Sequence, residues 1–190
     1  MTPAKEPPAV PEVDVRQLVA DNDLGGRSPG PAAGLFLLGV ALAWSMFQLW
    51  IASPLPFKLG IFVFNDTESR SVHLAFAVFL AYLSSPAMQR SPRDHVPISD
   101  WVLAVAAAFC ASYIFWFYRE LASRPGSPTD MDVYTAIAGM VLLLEATRRV
   151  LGLPMVVVAV VFLGYTFGGR YMPDMIAHGG YSLKRVMSHQ

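Results

Sequence analysis

Apolar residues follow one another in five long stretches, and charged residues stand almost only between these stretches. Each stretch is too long and too uniformly apolar to be one face of a helix in a soluble core. A helix of about 20 residues crosses the hydrocarbon of a bilayer, and about 17 residues is the usual minimum. The pattern therefore predicts an all-α, polytopic bundle with five transmembrane helices, at about 32–52, 72–86, 101–118, 133–149 and 153–170.

The second stretch, 72–86, is shorter than this minimum. His73 and the step Ser84-Ser85-Pro86 mark its two ends. We interpret the stretch as a short crossing whose ends reach into the headgroups, because polar end residues can extend toward water. The alternative is a half-helix that is buried in the protein.

Proline and glycine are frequent before the first stretch. Such a composition resists regular structure, so 1–32 is predicted to be a flexible N-terminal tail and 33–190 a transmembrane domain. The tail is not expected to be a signal peptide, because it lacks a short apolar core that follows a basic start.

Composition supports the membrane assignment and excludes several functions. Charged residues make up 15% of the 190 residues, whereas soluble domains carry about 25%. The formal net charge is zero, so there is no basic field to attract nucleic acid. Cys110 is the single cysteine, which excludes an intrachain disulfide and a multi-cysteine metal site. Because the sequence has no nucleophile elbow, phosphate loop or zinc motif, we expect no enzymatic activity, no cofactor and no metal.

Glu145 stands out among the ionisable residues because it ends an apolar run, where a charge is costly. Arg148 and Arg149 follow at i+3 and i+4, the favourable order for an intrahelical ion pair. Glu145 is therefore either a proton or ion relay, or part of an interfacial charge cluster that sets the depth of the helix and docks a partner. We favour the charge cluster. Asp130 and Asp132, which stand before the same helix, are predicted to complement its N-terminal dipole as capping groups.

The distribution of positive charge gives only a partial indication of orientation. With the N-terminus in the cytoplasm, the 14 lysine and arginine residues divide equally between the two sides, so the positive-inside rule does not decide. The short connection after Arg148 and Arg149 favours the cytoplasm for that loop. This places the N-terminus in the cytoplasm and the C-terminus on the opposite side.

A series of short motifs extends from about residue 34 to residue 190. In order they are Phe47-Gln48-Leu49, His73-Leu74-Ala75-Phe76, Pro97-Ile98-Ser99-Asp100-Trp101, Tyr118-Arg119, Arg124-Pro125-Gly126-Ser127-Pro128, Leu144-Glu145-Ala146-Thr147-Arg148-Arg149-Val150-Leu151-Gly152-Leu153-Pro154, Phe162-Leu163-Gly164-Tyr165, Gly168-Gly169-Arg170-Tyr171-Met172-Pro173 and His178-Gly179-Gly180-Tyr181-Ser182. This order resembles the small-subunit (Q-like) region of tripartite ATP-independent periplasmic (TRAP) transporters. The similarity is greatest to the fused permeases that work with TAXI-class binding proteins.

The resemblance implies a component of a secondary importer in the bacterial inner membrane, driven by an ion gradient, usually of sodium. A periplasmic TAXI-type binding protein would supply a small organic solute, with a carboxylate as the expected class. The small region of such permeases has four scaffold helices and a fifth helix that leads to the large permease region. That large region holds the substrate and sodium sites and moves the substrate.

The sequence departs from the fused pattern because it stops at Gln190, where the large region would follow. We therefore expect either a separately encoded small subunit or the front part of a longer permease. The candidate interface residues are Glu145, Arg148, Arg149, Asp130 and Arg119. The alternative function is a small self-sufficient channel or carrier, which would need polar residues along several helices.

Overall fold

The structure, a computed structural model, describes residues 26–88, 91–124 and 127–168. Within this part of the chain there are six helices and no strand. The helices are α1 (Pro31–Ala52), α2 (Leu55–Leu59), α3 (Asp66–Ser84), α4 (Ile98–Ser123), α5 (Asp130–Leu151) and α6 (Leu153–Gly168). Residues 1–25 of the predicted tail and residues 169–190 of the predicted transmembrane domain lie outside the described residues.

Two of the described helices are long and apolar enough to cross a membrane, judged by length and composition. They are α1, with 22 residues, and α4, with 26 residues. The apolar α6 has 16 residues and is shorter. The all-α fold is thus confirmed for the described residues, whereas the five crossings remain a prediction.

Helix α3 begins at Asp66, six residues before the apolar stretch that predicted it. A capping box causes this early start, because Asn65 Oδ1 accepts a hydrogen bond from the Glu68 amide at 2.8 Å and Glu68 Oε2 accepts one from the Asn65 amide at 3.0 Å. The helix therefore has 19 residues and is about 28 Å long, close to the thickness of the hydrocarbon core, about 30 Å.

The central packing is made by α3, α4 and α5, with the most extensive contact between α3 and α4. Helix α1 packs on α3, and α6 packs on α5. The beginnings of α1 and α4 lie beside the ends of α3 and α5, since the Arg27 amide donates to Ser84 O and Arg149 pairs with Asp100. We call this side of the bundle the Arg149 end and the opposite side the Asp132 end.

Small side chains allow the central helices to approach closely, as in many membrane bundles. A Cβ atom built at Gly139 of α5 would lie 3.3 Å from the Cβ atom of Cys110 on α4. Ser71 of α3 donates a hydrogen bond of 2.6 Å to the carbonyl oxygen of Ala111 on α4. The buried hydrophobic core consists of Val78, Tyr82, Leu83, Ala104, Ala107 and Ala146.

Aromatic and polar contacts attach α1 to the bundle, although none of its residues is buried. Near the Arg149 end, the ring centroids of Phe36 and Trp101 are 5.3 Å apart. Toward the other end, Trp44 Nε1 donates to His73 Nδ1 at 3.3 Å, and the Gln48 side-chain amide contacts the same nitrogen. These contacts join the end residues of the first two apolar stretches.

Candidate functional site: a buried charge cluster

Five charged side chains meet at the Arg149 end, and we call them the charge cluster. They are Arg27, Asp100, Glu145, Arg148 and Arg149. Three of them are buried, since Arg27, Asp100 and Arg149 are only 8%, 3% and 4% exposed. Buried charges are stable only when they are paired, so the connections within the cluster determine whether these helices can pack.

Asp100 is the centre of the cluster. It lies in the first turn of α4, and its two carboxylate oxygens accept from different arginines. Its Oδ1 atom is 2.9 Å from Arg149 Nη1, and its Oδ2 atom accepts from Arg27 Nη2. One carboxylate thus joins the segment before α1 to the beginning of α4 and the end of α5.

Arg27 also donates hydrogen bonds to carbonyl groups at the carboxyl end of α3. The last carbonyl groups of a helix have no partner within the helix. Its amide donates to Ser84 O at 2.8 Å, and its Nη1 atom donates to Tyr82 O at 3.4 Å and Leu83 O at 3.3 Å. Its Nε atom donates to Pro92 O at 3.3 Å. The positive guanidinium is favourable at this negative end of the helix dipole. The residues just before α1, which the sequence assigned to a flexible tail, are therefore held against the bundle at Arg27.

Glu145 pairs with both arginines that follow it on α5. Arg148 Nε and Nη2 donate to the two carboxylate oxygens at 2.7 and 2.8 Å, and Arg149 Nε donates to Oε1 at 2.9 Å. Arg148 also donates to Ala87 O at 2.8 Å. The side chains of Glu145 and Arg148 are about one third exposed, at 31% and 29%. The i+3 and i+4 spacing thus forms the pairs expected from the sequence, at the rim of the buried cluster.

Tyr82 is fully buried and packs against the charge cluster. The Arg149 guanidinium lies 4.6 Å from the centroid of the Tyr82 ring, a distance at which a cation is attracted to an aromatic face. The Tyr82 hydroxyl donates to Leu142 O at 2.8 Å. Arg149 is therefore held by two carboxylates and one ring.

A second, smaller group surrounds Asp132 at the other end of the bundle. Asp132 forms a capping box with Thr129 and accepts from the Tyr113 hydroxyl at 2.6 Å, and Arg124 Nη2 lies 3.2 Å from its Oδ2 atom. Burial raises the pKa of Asp132, but the bonds from Tyr113 and Thr129 and the charge of Arg124 hold this pKa below its ordinary value. Asp130 and Asp132 both lie in the first turn of α5, where acidic groups complement the helix dipole. Asp132 forms the capping box with Thr129, and Asp130 is exposed.

Arg119 lies on α4 just after Phe117, where the backbone leaves helical geometry (φ −108°, ψ 17°). Its side chain is exposed and has no hydrogen bond or ion pair to a described residue. Arg119 is separated from Asp100 by nineteen positions on α4, or about 28 Å of helix. The five candidate residues are thus divided, with Arg119 and Asp130 at the Asp132 end and the other three in the charge cluster.

The sequence analysis did not single out Arg27, and it named Asp100 only within the motif Pro97-Ile98-Ser99-Asp100-Trp101. Their ion pair joins positions 73 residues apart, and that of Asp100 and Arg149 joins positions 49 residues apart. Helical periodicity reveals partners only three or four positions away. The available signal was a carboxylate directly before an apolar span with no local cation to compensate it.

The cluster joins separate helices through paired charges. Every buried side-chain nitrogen and oxygen atom in the described ranges has a hydrogen-bond partner. Within the same ranges, no group of three or more His, Cys, Asp or Glu side chains is placed to hold a metal ion. Comparison with protein families, with curated proteins and with solved structures gave no match for this chain.

Proposed function

We propose that the chain is a multi-pass scaffold in a bacterial inner membrane, the small-subunit region of a TRAP-type importer. The observation that carries this proposal is the charge cluster, in which each buried charge is paired between separate parts of the chain. Such a network stabilises one arrangement of the helices. A rigid frame of this kind suits a subunit that supports a moving partner.

The outer surface of the helices supports a location in the membrane. On α1, Leu35, Met46 and Leu49 are 72%, 71% and 70% exposed. On α6, Val161 and Phe162 are 63% and 66% exposed. Soluble monomers rarely expose large continuous apolar patches, whereas lipid covers such surfaces at no cost. We therefore propose that α1, α3, α4, α5 and α6 all cross the bilayer.

The charge cluster also suggests an orientation. It contains three arginines and two carboxylates, and Arg148 extends from it toward the surface. Arg148 and Arg149 directly precede the short connection to α6, and arginines beside a short connection favour the cytoplasmic side for it. We place the Arg149 end and the N-terminus in the cytoplasm. After five crossings, the chain would continue on the periplasmic side, where the large permease region and the TAXI-type binding protein would act.

Glu145 fits the scaffold better than a relay. A relay carboxylate must release and take up a proton during each cycle, but Glu145 accepts three hydrogen bonds from Arg148 and Arg149. Between the two polar ends, the helix contacts are made by small or apolar residues such as Val78, Ala104 and Ala107. This distribution favours the scaffold over a self-sufficient channel or carrier, whose polar residues would continue through the bundle.

Purification of the tagged chain from its native membrane in a mild detergent tests the proposal. We expect mass spectrometry to find a large multi-helix permease in a stoichiometric amount, and transport of an organic acid only when both are reconstituted with the binding protein. Extraction of the chain by alkaline carbonate would contradict the membrane location. Solute or ion transport by the chain alone in liposomes would contradict the scaffold role and support the carrier.

A further inference from the structure

A cleft of about 550 Å³ opens between α3, α4 and α5 on the side of the Asp132 end. Its volume lies in the range of small-molecule sites, about 300–1,000 Å³. The inner wall is formed by apolar side chains, among them Leu74, Val78, Ala111, Ile114, Met140 and Leu143. The polar Ser71 hydroxyl in this wall already donates its hydrogen bond to Ala111 O.

The rim of the cleft is polar and contains two arginines, each of which is paired with a carboxylate. Arg124 is paired with Asp132, with 3.2 Å between Nη2 and Oδ2, and both residues line the cleft. Arg70 is paired with Asp66, but the side chains are 79% and 77% exposed, and such surface pairs contribute little stability. The Arg70 guanidinium is therefore able to exchange its partner for another anion. The cleft thus combines an apolar interior with an arginine at its entrance that is able to exchange its partner.

We propose that this cleft binds one acyl chain of an anionic phospholipid, with the phosphate at Arg70. The inference rests on the proposed membrane location. An empty apolar cleft open to lipid would leave its lining without contact atoms on one side, and an acyl chain restores these contacts. Arginine matches phosphate geometry by bidentate hydrogen bonding, so Arg70 at the rim is a suitable partner for a headgroup phosphate.

The dimensions favour an acyl chain over a helix of a partner protein. A helix with its side chains is about 10 Å wide or wider, so a partner helix would insert only its side chains into a cleft of about 550 Å³. A methylene chain is much thinner and is able to follow the cleft along α5 from Asp132 to Leu143.

Native mass spectrometry of the detergent-purified chain, after delipidation and titration with phosphatidylglycerol, tests the proposal. We expect one tightly retained phosphatidylglycerol per chain and at least tenfold weaker retention of phosphatidylcholine. Ala136→Trp should fill the cleft and reduce retention at least tenfold, because Ala136 lines it. Ala138→Trp is the matched control, since Ala138 is exposed on the same helix and does not line the cleft. Leu74→Trp is a second filling variant from α3.

Charge variants test the entrance separately. Arg70→Gln should weaken phosphatidylglycerol retention severalfold, whereas Arg119→Gln, an exposed arginine outside the cleft, should leave it unchanged. Equal retention of the two lipids, or equal retention by the two tryptophan variants of α5, would overturn the proposal. A chain that resists alkaline carbonate but retains no phosphatidylglycerol would overturn the cleft proposal alone. A chain that carbonate extracts would overturn the proposed membrane function as well.

Discussion

Arg149 and Asp100 form a buried ion pair, with 2.9 Å between Arg149 Nη1 and Asp100 Oδ1. Both side chains are less than 5% exposed, so each would be strongly destabilising without the other. The pair joins the last turn of α5 to the first turn of α4. Because Arg27 binds the second oxygen of Asp100, the same carboxylate also determines where the chain enters α1.

Replacement of Asp100 by Asn should destabilise the bundle strongly. The substitution keeps the shape of the side chain but removes its negative charge. Arg27 then loses its carboxylate partner, and Arg149 keeps only the carboxylate of Glu145. Removal of one partner from a buried pair costs about 3–5 kcal/mol. Reversible unfolding in mixed micelles measures the change. Asp66→Asn is the control, because the Asp66–Arg70 pair is exposed. This substitution should lower the free energy of unfolding by less than about 1 kcal/mol. Equal effects of the two substitutions would contradict the central role of Asp100.

Arg27→Gln should release the segment before α1 from the bundle. The amides of Arg27, Ser28 and Gly30 donate to Ser84 O, Arg93 O and Asp94 O, and they should exchange with solvent deuterium much faster in the variant. Local opening energies fall when the buried contacts of a segment are lost. Hydrogen exchange with mass spectrometry checks this result. Ser28→Ala, at an exposed neighbouring position, should leave exchange unchanged, and unchanged exchange in Arg27→Gln would show that the segment is held by other contacts.

Glu145→Gln separates the two interpretations of Glu145. In the scaffold interpretation the variant loses charge-assisted hydrogen bonds to Arg148 and Arg149, and the partial exposure of the carboxylate limits the loss of stability to about 1 kcal/mol. The reconstituted complex with Glu145→Gln should transport with unchanged ion stoichiometry. Asp130→Asn on the same helix is the control and should also leave the stoichiometry unchanged. Normal stability and assembly together with lost ion coupling would support the relay.

Gly139→Leu should disrupt the contact of α4 with α5. Even a Cβ atom at this position would lie 3.3 Å from the Cβ atom of Cys110, so a larger side chain must push the helices apart. Overpacking of this kind costs about 1–3 kcal/mol. Gly39→Leu on α1 is the control, because a Cβ atom there has no neighbour within 4 Å. Unfolding in mixed micelles should show a lower free energy of unfolding for Gly139→Leu and an unchanged one for Gly39→Leu.

Local rules predicted much of the secondary structure. The long apolar stretches coincide with α1, α3, α4, α5 and α6, because a helix pairs its own backbone groups and needs no distant partner. The sequence did not reveal the early start of α3, since the capping box of Asn65 and Glu68 lies in a segment interpreted as a connection. It predicted the Glu145 pairs for the same local reason, because α5 itself brings Arg148 and Arg149 beside Glu145.

The tertiary structure alone decided where the buried charges meet. Arg27 stands in a segment rich in proline and glycine, and no local pattern indicates that it lies beside Asp100, 73 positions away. The same holds for the cleft, whose wall combines Leu74 of α3, Ile114 of α4 and Met140 of α5. The sequence by itself determined the five long helices, since helix formation in a long apolar stretch depends on neighbouring residues. Only packing determined the charge cluster and the cleft, because both require surfaces from different helices to face each other.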